Sequence, residues 1–214
     1  MPSFEIEKQY PGKVICGIDE VGLGPLAGPI VVCSCVILDY NLPMELLNNI
    51  DDSKKLTEKK RETIFEIVTN YKKIKYGIAI IDVEIIDNIG LSNAWKKGVI
   101  DSQKDINQIP DVCLIDGIRK VDIENVQVIT VVKGDQKSYS IATASIIAKV
   151  TRDRLMRKIH LEFPEYGFDK NVGYGTKFHL EALRKFGPCK YHRKSYAPVA
   201  SIIGKRPIRY IHTF

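Results

Sequence analysis

Three apolar segments of this chain each end in carboxylates that lie close to glycine. The acids are the pair Asp19 and Glu20, then Asp116, then Asp135, within the motifs GIDEVGLG, LIDG and VVKGD. Short apolar runs followed by glycine and polar residues are typical of buried β-strands that end in turns. The chain is therefore predicted to build a sheet whose strands end in acidic residues.

The order of the remaining segments favours the α/β class. Short apolar runs predict strands at residues 13–19, 29–38, 72–82, 111–117 and 124–132. Longer patterns with helical spacing predict helices at residues 57–71, 90–103, 138–163 and 176–186. In the first of these helices, Thr57 is the expected N-cap, and Ile64, Ile67 and Val68 form the apolar stripe. Because strands come first and then alternate with helices, we expect a mixed central sheet flanked by helices.

The length of 214 residues suits one compact unit with two regions. Residues 1–163 are the expected α/β core, and residues 164–214 the expected helical, basic C-terminal region. The segment 164–175, rich in Gly, Pro and Tyr, is expected to join them.

Charge is distributed unevenly along the chain, whose net charge is +6. From Ala182 to Phe214 there is no Asp or Glu, and Lys and Arg residues alternate with aromatic ones. Basic groups bind phosphates, and aromatic faces stack on bases and sugars. The segment therefore indicates a nucleic-acid partner, with a solvated basic surface as the alternative.

The N-terminus and the cysteines indicate a cytoplasmic protein. The start MPSFEIEKQY is polar and carries acids, unlike a signal peptide, and no apolar run reaches the length of a membrane span. The 5 cysteines form no Cys-x-x-Cys pair and lie mostly in apolar runs. We interpret them as buried reduced thiols, so a zinc site is not expected.

The acids predict a divalent-metal site if the first and fourth strands are neighbours. Ligands usually bind at the carboxyl ends of strands in open α/β sheets. Clustered carboxylates repel one another unless a cation lies among them, and oxygen ligands prefer Mg²⁺ or Mn²⁺. Two such ions can assist displacement at a phosphodiester. The alternative is that these are solvated acids at polar strand ends. Phosphate-binding P-loop, Gly-x-Ser-x-Gly and His-Glu-x-x-His motifs are absent, so a nuclease fits best.

Asp19 and Glu20 raise a geometric question, because consecutive strand residues point to opposite faces of a sheet. Both can face one ion only if the chain bends between or just after them. Gly22 and Gly24 are expected to allow that bend.

The order of the motifs resembles the ribonuclease HII family from residue 14 to about residue 200. The segments that carry the resemblance are GIDEVGLGPLAGPIVV, DDSKKL, LIDG, VVKGDQKSYSIATASIIAKVTRD, GYGTKFHLEAL and GPCKYHRKSYAPV. The resemblance implies a ribonuclease H-like fold and a metal-dependent endonuclease. Such an enzyme cleaves the RNA strand of RNA–DNA hybrids and cuts 5′ to ribonucleotides embedded in DNA, leaving 3′-hydroxyl and 5′-phosphate ends.

The resemblance also implies roles for individual residues. It makes Asp19, Glu20, Asp116 and Asp135 the catalytic, metal-binding carboxylates, in agreement with the strand ends. The residues that it assigns to substrate binding are Gly22, Leu23, Gly24, Ser53, Lys54, Tyr174, His192 and Arg193. Tyr174 would contact the ribose 2′-hydroxyl, by which a protein distinguishes RNA from DNA.

Several of these assignments have structural alternatives. Lys54 could be a flexible surface lysine, and Tyr174 could pack an ordinary turn. His192 and Arg193 are expected to bind backbone phosphate, although a structural His192 fits the sequence equally well.

Two positions depart from the family pattern. Leu23 replaces the arginine of the usual Gly-Arg-Gly, whose backbone grips the 2′-hydroxyl and adjacent phosphate, and Gly90 stands where asparagine is frequent. The nearest alternative is the ribonuclease HIII group, whose extra N-terminal domain has no counterpart before Asp19. A hybrid-binding protein without catalysis is the other alternative, which the presence of all four acids disfavours. We expect a monomer.

Overall fold

A computed structural model describes residues 1–50, 56–106 and 108–204 of the chain. The strands are β1 (Ile15–Val21), β2 (Ile30–Ile37), β3 (Ile74–Ile81), β4 (Val112–Asp116) and β5 (Gln127–Val131). The helices are α1 (Met44–Leu47), α2 (Glu58–Asn70), α3 (Val83–Ile89), α4 (Leu91–Asp105), α5 (Tyr139–Glu162), α6 (Phe168–Asn171), α7 (Lys177–Phe186) and α8 (Ala197–Ile202).

The strands form one mixed sheet in the order β3-β2-β1-β4-β5. β1 pairs antiparallel with β2 and parallel with β4, and β4 pairs parallel with β5. The α/β class with a mixed sheet is therefore confirmed. The first and fourth strands are neighbours, which is the condition on which the argument for a metal site depends. Every residue of β2 is buried, which explains why its sequence is apolar at every position except Ser34 rather than alternating.

The described residues divide into two compact units. Within the described ranges, unit 1 comprises residues 1–21, 31–50, 56–80, 96–106 and 108–151, and unit 2 comprises residues 22–30, 81–95 and 152–204. The division expected at residues 163 and 164 stays a prediction.

Unit 1 holds the sheet and the first half of α5. Ile141, Ala142, Ala144 and Ile146 of that helix are buried, as expected from its small and apolar residues. Gly17 of β1 lies against the start of α5, because a Cβ there would stand 2.2 Å from the carbonyl carbon of Ser140. Only glycine allows this approach of strand and helix backbones.

Unit 2 has its own apolar cluster around the second half of α5. Met156 and Ile159 pack with Tyr166, Phe168 and Ala182. A second cluster, of Leu26, Leu183 and Val199, includes residues of α7 and α8.

Some local predictions need correction. Thr57 caps α2 as predicted, with Oγ1 accepting from the N–H of Lys60 at 3.3 Å, but Ile67 is 43% exposed and lies outside the buried stripe. Helix α3 was not predicted from the sequence. Gly90 ends this helix at φ 80° and ψ 157°, a conformation that is essentially restricted to glycine. That requirement accounts for glycine at this position.

Candidate active site

Asp19 and Asp116 lie at the same end of two neighbouring parallel strands. Ile18 of β1 is level with Ile115 of β4, and each acid is the next residue of its strand. Asp19 is buried, whereas Glu20 and Asp116 are half-buried. The sheet register therefore brings together acids that are 97 positions apart in the sequence (116 − 19).

The pair Asp19 and Glu20 stays within a regular strand. Pairing of β1 with β2 continues through Glu20 and Val21, so no bend separates the two acids. The turn expected from the glycines begins only at Gly22, whose φ is 97°. The Glu20 N–H donates to Asp19 Oδ1 at 2.8 Å, which fixes the Asp19 carboxylate at the strand end.

Burial raises the pKa of Asp19 well above its usual value. The charges of Glu20 and Asp116 raise this pKa further, while a side-chain hydrogen bond with Ser145 and the Glu20 N–H lower it. Ser145 was not among the predicted site residues, since its place in the run ATAS suggested only close packing of α5. Its hydrogen bond places α5 beside the site.

Asp135 follows β5 in a short 3₁₀ turn, Gly134–Gln136, and is buried. The N–H of Gly134 donates to Asp116 Oδ1 at 2.6 Å. A Cβ at Gly134 would lie 3.2 Å from that same oxygen, so glycine suits the close approach. This hydrogen bond connects the turn after β5 to the end of β4. Asp135 directly follows Gly134, the residue that contacts Asp116.

The carboxylate oxygens of these acids are the kind of ligand that a hard divalent cation prefers. Asp19, Glu20 and Asp116 interact electrostatically, and a cation would offset the repulsion that their charges create. Among the described residues, no three Asp, Glu, His or Cys side chains form a group that could hold an ion by themselves. An ion here would accordingly take further oxygens from water or substrate, as Mg²⁺ usually does.

The predicted substrate-binding turn belongs to unit 2. This turn spans residues 22–29. Several of its carbonyls accept hydrogen bonds from two buried arginines, Arg193 and Arg152. Arg152 donates to the carbonyls of Ala27, Pro29 and Val172. The negative charge of Asp153 favours the protonated form of this guanidinium. Its burial and the nearby charge of Arg193 lower the pKa of Arg152 to about 10.

The structure buries His192 and Arg193, which were expected to bind backbone phosphate, and so agrees with the structural alternative for His192. Arg193 is 0% and His192 1% exposed, so neither side chain is accessible to a phosphate in this structure. Arg193 instead bonds to backbone carbonyls of residues 22–28. The sequence signal, a basic cluster rich in aromatics, does not distinguish a solvated cation from one that is buried against carbonyls.

His192 belongs to a buried chain of hydrogen bonds. Its Nδ1 accepts from the Cys189 N–H at 3.0 Å, so its proton is on Nε2, which donates to His179 Nε2 at 3.0 Å. The remaining nitrogen of His179 then donates to the Tyr174 carbonyl at 2.8 Å. Desolvation lowers the pKa of both histidines, to about 4 for His192, where the neighbouring His179 contributes. His179 was missed because a single histidine in a helix carries no distinctive signal.

Tyr174 is 47% exposed, and a Cβ at Gly24 would stand 3.5 Å from its ring. Tyr174 and Gly24 are therefore neighbours within unit 2. Ser53 and Lys54 lie outside the described residues. Asn93 lies near Gly90, one of the two positions that depart from the family pattern. Its side-chain amide donates to the Ile89 carbonyl at 3.0 Å.

Comparison with known proteins decides the family. The family model for ribonuclease HII matches residues 16–199. This chain belongs to the ribonuclease HII family. A ribonuclease HII of Chlamydia trachomatis serovar D is 46% identical over 199 residues, which cover 92% of this chain and 88% of the relative.

Solved structures agree with this assignment. The ribonuclease H2 of Pyrococcus horikoshii OT3 superposes with a TM-score of 0.73 at 25% identity, covering 88% of this chain and 96% of that one. Bst-RNase HIII in complex with Mn²⁺ has a TM-score of 0.69 at 18% identity, covering 95% of this chain and 73% of that one, and shows the shared fold. The ribonuclease H-like fold is confirmed.

Membership of ribonuclease HII defines the general activity. The chain is an endonuclease that hydrolyses the RNA strand of RNA–DNA hybrids. None of the helices within the described ranges combines the length and hydropathy that crossing a membrane requires.

Proposed function

We propose that this ribonuclease HII uses Asp19, Glu20, Asp116 and Asp135 as its catalytic carboxylates. The observation that carries the proposal is the position of Asp19 and Asp116 side by side on parallel strands, with the Gly134 N–H bonded to Asp116. Asp19 and Asp116 would ligate Mg²⁺ or Mn²⁺ directly. Glu20 and Asp135 would complete the site and orient the attacking water.

When two such ions are bound, they stabilise the attacking and leaving oxygens of the phosphodiester. The chain's own contribution is to hold its carboxylates in place before substrate arrives. Asp19 is fixed by the Glu20 N–H and Ser145, and Asp116 by the Gly134 N–H. Such preorganisation lowers the cost of ordering the site during reaction. Hydrolysis would leave 3′-hydroxyl and 5′-phosphate ends.

We further propose that the enzyme cuts 5′ to single ribonucleotides embedded in duplex DNA. The backbone of Gly22, Leu23 and Gly24 would contact the 2′-hydroxyl and adjacent phosphate, and the half-exposed Tyr174 ring would pack on the sugars. Ser53 and Lys54 retain their predicted role near the scissile phosphate. A backbone contact does not require arginine at position 23, so Leu23 is compatible with this recognition.

We also propose a cofactor, an oligomeric state and a cellular location for this enzyme. We expect Mg²⁺ or Mn²⁺ from the oxygen-only donor set. We also expect a monomer in the cytoplasm, from the resemblance and the cysteine pattern of the sequence.

The test is a cleavage assay with two labelled substrates, an RNA–DNA hybrid and a DNA duplex that contains one ribonucleotide. Each is incubated with Mg²⁺, with Mn²⁺ or with a chelator. We expect metal-dependent cleavage of both, with one cut 5′ to the single ribonucleotide. Cleavage of the hybrid alone would contradict the proposal for embedded ribonucleotides.

Asp116→Asn tests the assignment of the carboxylates. We expect cleavage to fall at least about 100-fold, since electrostatic groups at a reacting centre contribute on this order, while hybrid binding remains. Asp111→Asn is the matched control, because Asp111 lies just before the opposite end of β4 and bonds to Val14 and Lys13. Full activity of Asp116→Asn, or equal loss in both variants, would refute the assignment.

A further inference from the structure

Arg193 binds the carbonyls of the turn 22–28 from inside unit 2. Its Nη1 donates to the Leu23 carbonyl at 2.9 Å and its Nη2 to the Gly22 carbonyl at 2.5 Å. Nε and Nη2 both donate to the Gly28 carbonyl, at 3.1 and 2.8 Å. The side chain is fully buried, so one guanidinium fixes the orientation of three peptide groups.

These bonds determine where the neighbouring N–H groups point. The described residues contain no cis peptide bond, and in a trans peptide the C=O and the following N–H point in opposite directions. Because the carbonyls of Gly22 and Leu23 face the buried guanidinium, the N–H groups of Leu23 and Gly24 face away from it. Within the described part of the chain, neither N–H donates a backbone hydrogen bond.

We propose that Arg193 is a positioning residue for ribonucleotide recognition, which holds the N–H groups of Leu23 and Gly24 outward as a pair of donors. This inference rests on the proposed recognition of embedded ribonucleotides by the same turn. Successive backbone N–H groups form a concavity that binds anionic and hydroxyl oxygens. The donors come from the main chain, so the side chain at position 23 contributes little to them.

The geometry requires arginine rather than lysine at this position. A guanidinium presents donors in a rigid planar fork, whereas an ammonium is a single point at the end of a flexible stem. Lysine at position 193 would keep the charge but could not hold the Gly22, Leu23 and Gly28 carbonyls together. The peptide groups at 22–24 would then adopt several orientations.

Arg152 provides a matched control. It is equally buried and also bonds to carbonyls of the same turn, but to those of Ala27 and Pro29, together with Val172. Loss of its fork should destabilise unit 2 without releasing the Gly22 and Leu23 carbonyls. A merely structural role of Arg193 predicts equal effects of the two substitutions on recognition.

The experiment compares wild type, Arg193→Lys and Arg152→Lys on the one-ribonucleotide duplex. Steady-state kinetics give kcat and KM, and fluorescence anisotropy gives the Kd ratio between all-DNA and one-ribonucleotide duplexes. For Arg193→Lys we expect KM to rise about 10- to 100-fold, because displaced contacts of this kind cost on that order. We expect kcat to change less than threefold and the Kd ratio to approach one. Arg152→Lys should keep KM and the Kd ratio within about threefold of wild type.

Equal KM changes in the two variants, or an unchanged Kd ratio in Arg193→Lys, would overturn the inference. If Arg193→Lys does not fold, the variant Tyr196→Phe tests the same inference. The Tyr196 hydroxyl donates to the Leu23 carbonyl at 2.6 Å and accepts from Arg193 Nη1 at 2.9 Å. Its removal should raise KM about threefold, and an unchanged KM would count against the inference.

Failure of the proposed function gives a different result. If wild type does not cleave but prefers the one-ribonucleotide duplex, and Arg193→Lys loses that preference, the inference holds while the catalytic proposal fails. If wild type neither cleaves nor discriminates, both fail.

Discussion

At the scale of single residues, the catalytic role proposed for Asp19 opposes stability. The carboxylate is buried and lies near the charges of Glu20 and Asp116, both of which raise its pKa. A raised pKa of an acid means that its charged form is less favourable in the folded than in the unfolded state. Retention of such a group is expected where activity requires it.

Asp19→Asn should therefore abolish cleavage while stabilising the metal-free protein. We expect activity to fall at least about 100-fold, and the free energy of unfolding at pH 7 to rise by about 1–3 kcal/mol, since a buried repulsive charge is removed. Thermal unfolding in a chelator and the cleavage assay measure the two effects, with Asp111→Asn as the control. A lower melting temperature for Asp19→Asn would contradict the expected cost of this charge.

His192 makes stability depend on pH. Its pKa is lowered to about 4, so between about pH 6.5 and pH 4 the unfolded chain binds a proton that the folded state does not. Stability from the neutral ring is complete above about pH 6.5 and falls as the pH decreases through this window. The loss amounts to about 3 kcal/mol for a shift of this size.

Accordingly, His192→Gln should lower stability at pH 7 but flatten its decline between pH 6.5 and pH 4. Urea unfolding at a series of pH values measures this difference. His160→Gln is the control, because His160 lies outside the His179–His192 pair and is next to Asp169. Parallel pH profiles for wild type and His192→Gln would show that the buried ring does not control acid stability.

At the scale of elements, α5 depends on a carboxylate from the N-terminal segment. Glu7 is buried, and its Oε1 accepts hydrogen bonds from Ser138 Oγ at 2.6 Å, Ser140 N at 3.1 Å and Ser140 Oγ at 2.8 Å. A negative charge at a helix N-terminus is favoured by the exposed N–H groups and the helix dipole. Glu7 therefore stabilises the helix that also carries Ser145.

Glu7→Gln should reduce the free energy of unfolding by about 1–2 kcal/mol, since a charged acceptor of several hydrogen bonds becomes neutral. Chemical denaturation measures the change. The exposed Glu5 gives the control Glu5→Gln, for which we expect less than about 0.5 kcal/mol. Equal effects of the two substitutions would mean that the contact with α5 contributes nothing specific.

At the scale of the whole molecule, metal binding and folding stability should be linked. A ligand that binds only the folded state raises its stability as the ligand concentration exceeds Kd. For a chain of 214 residues, each kcal/mol corresponds to about 2–4 °C in melting temperature. The proposed metal ligands Asp19 and Asp116 therefore predict a measurable shift.

We expect 10 mM Mn²⁺, about 100 times a typical weak-site Kd, to raise the melting temperature by about 5–10 °C, which corresponds to about 2.7 kcal/mol. Asp19→Asn and Asp116→Asn should each reduce the shift by more than half, whereas Asp111→Asn should keep it. Scanning calorimetry measures the shift. Equal shifts in all four proteins would place the ion at other carboxylates.

The features of this protein that were predictable from the sequence are those that depend on neighbouring residues. The ends of β1, β4 and β5 were predictable because apolar runs, glycines and acids lie within a few positions of one another. Their register was not, because the Ile18–Ile115 pairing joins residues that no local pattern connects. Helix α3 was missed, since its residues 83–89 lie between the predicted strand 72–82 and the predicted helix that begins at Gly90.

Local sequence patterns were sufficient to predict the α/β class, the four acids at or just after strand ends and the family, because each depends on the kind and order of neighbouring residues. Which cations are exposed to solvent depends on the folded chain. Arg193 and the Gly22 carbonyl are 171 positions apart, and a guanidinium in a basic segment has the same local pattern whether it faces phosphate or backbone. Burial is a property of contacts between distant segments, so the role of Arg193 became visible only in the folded chain.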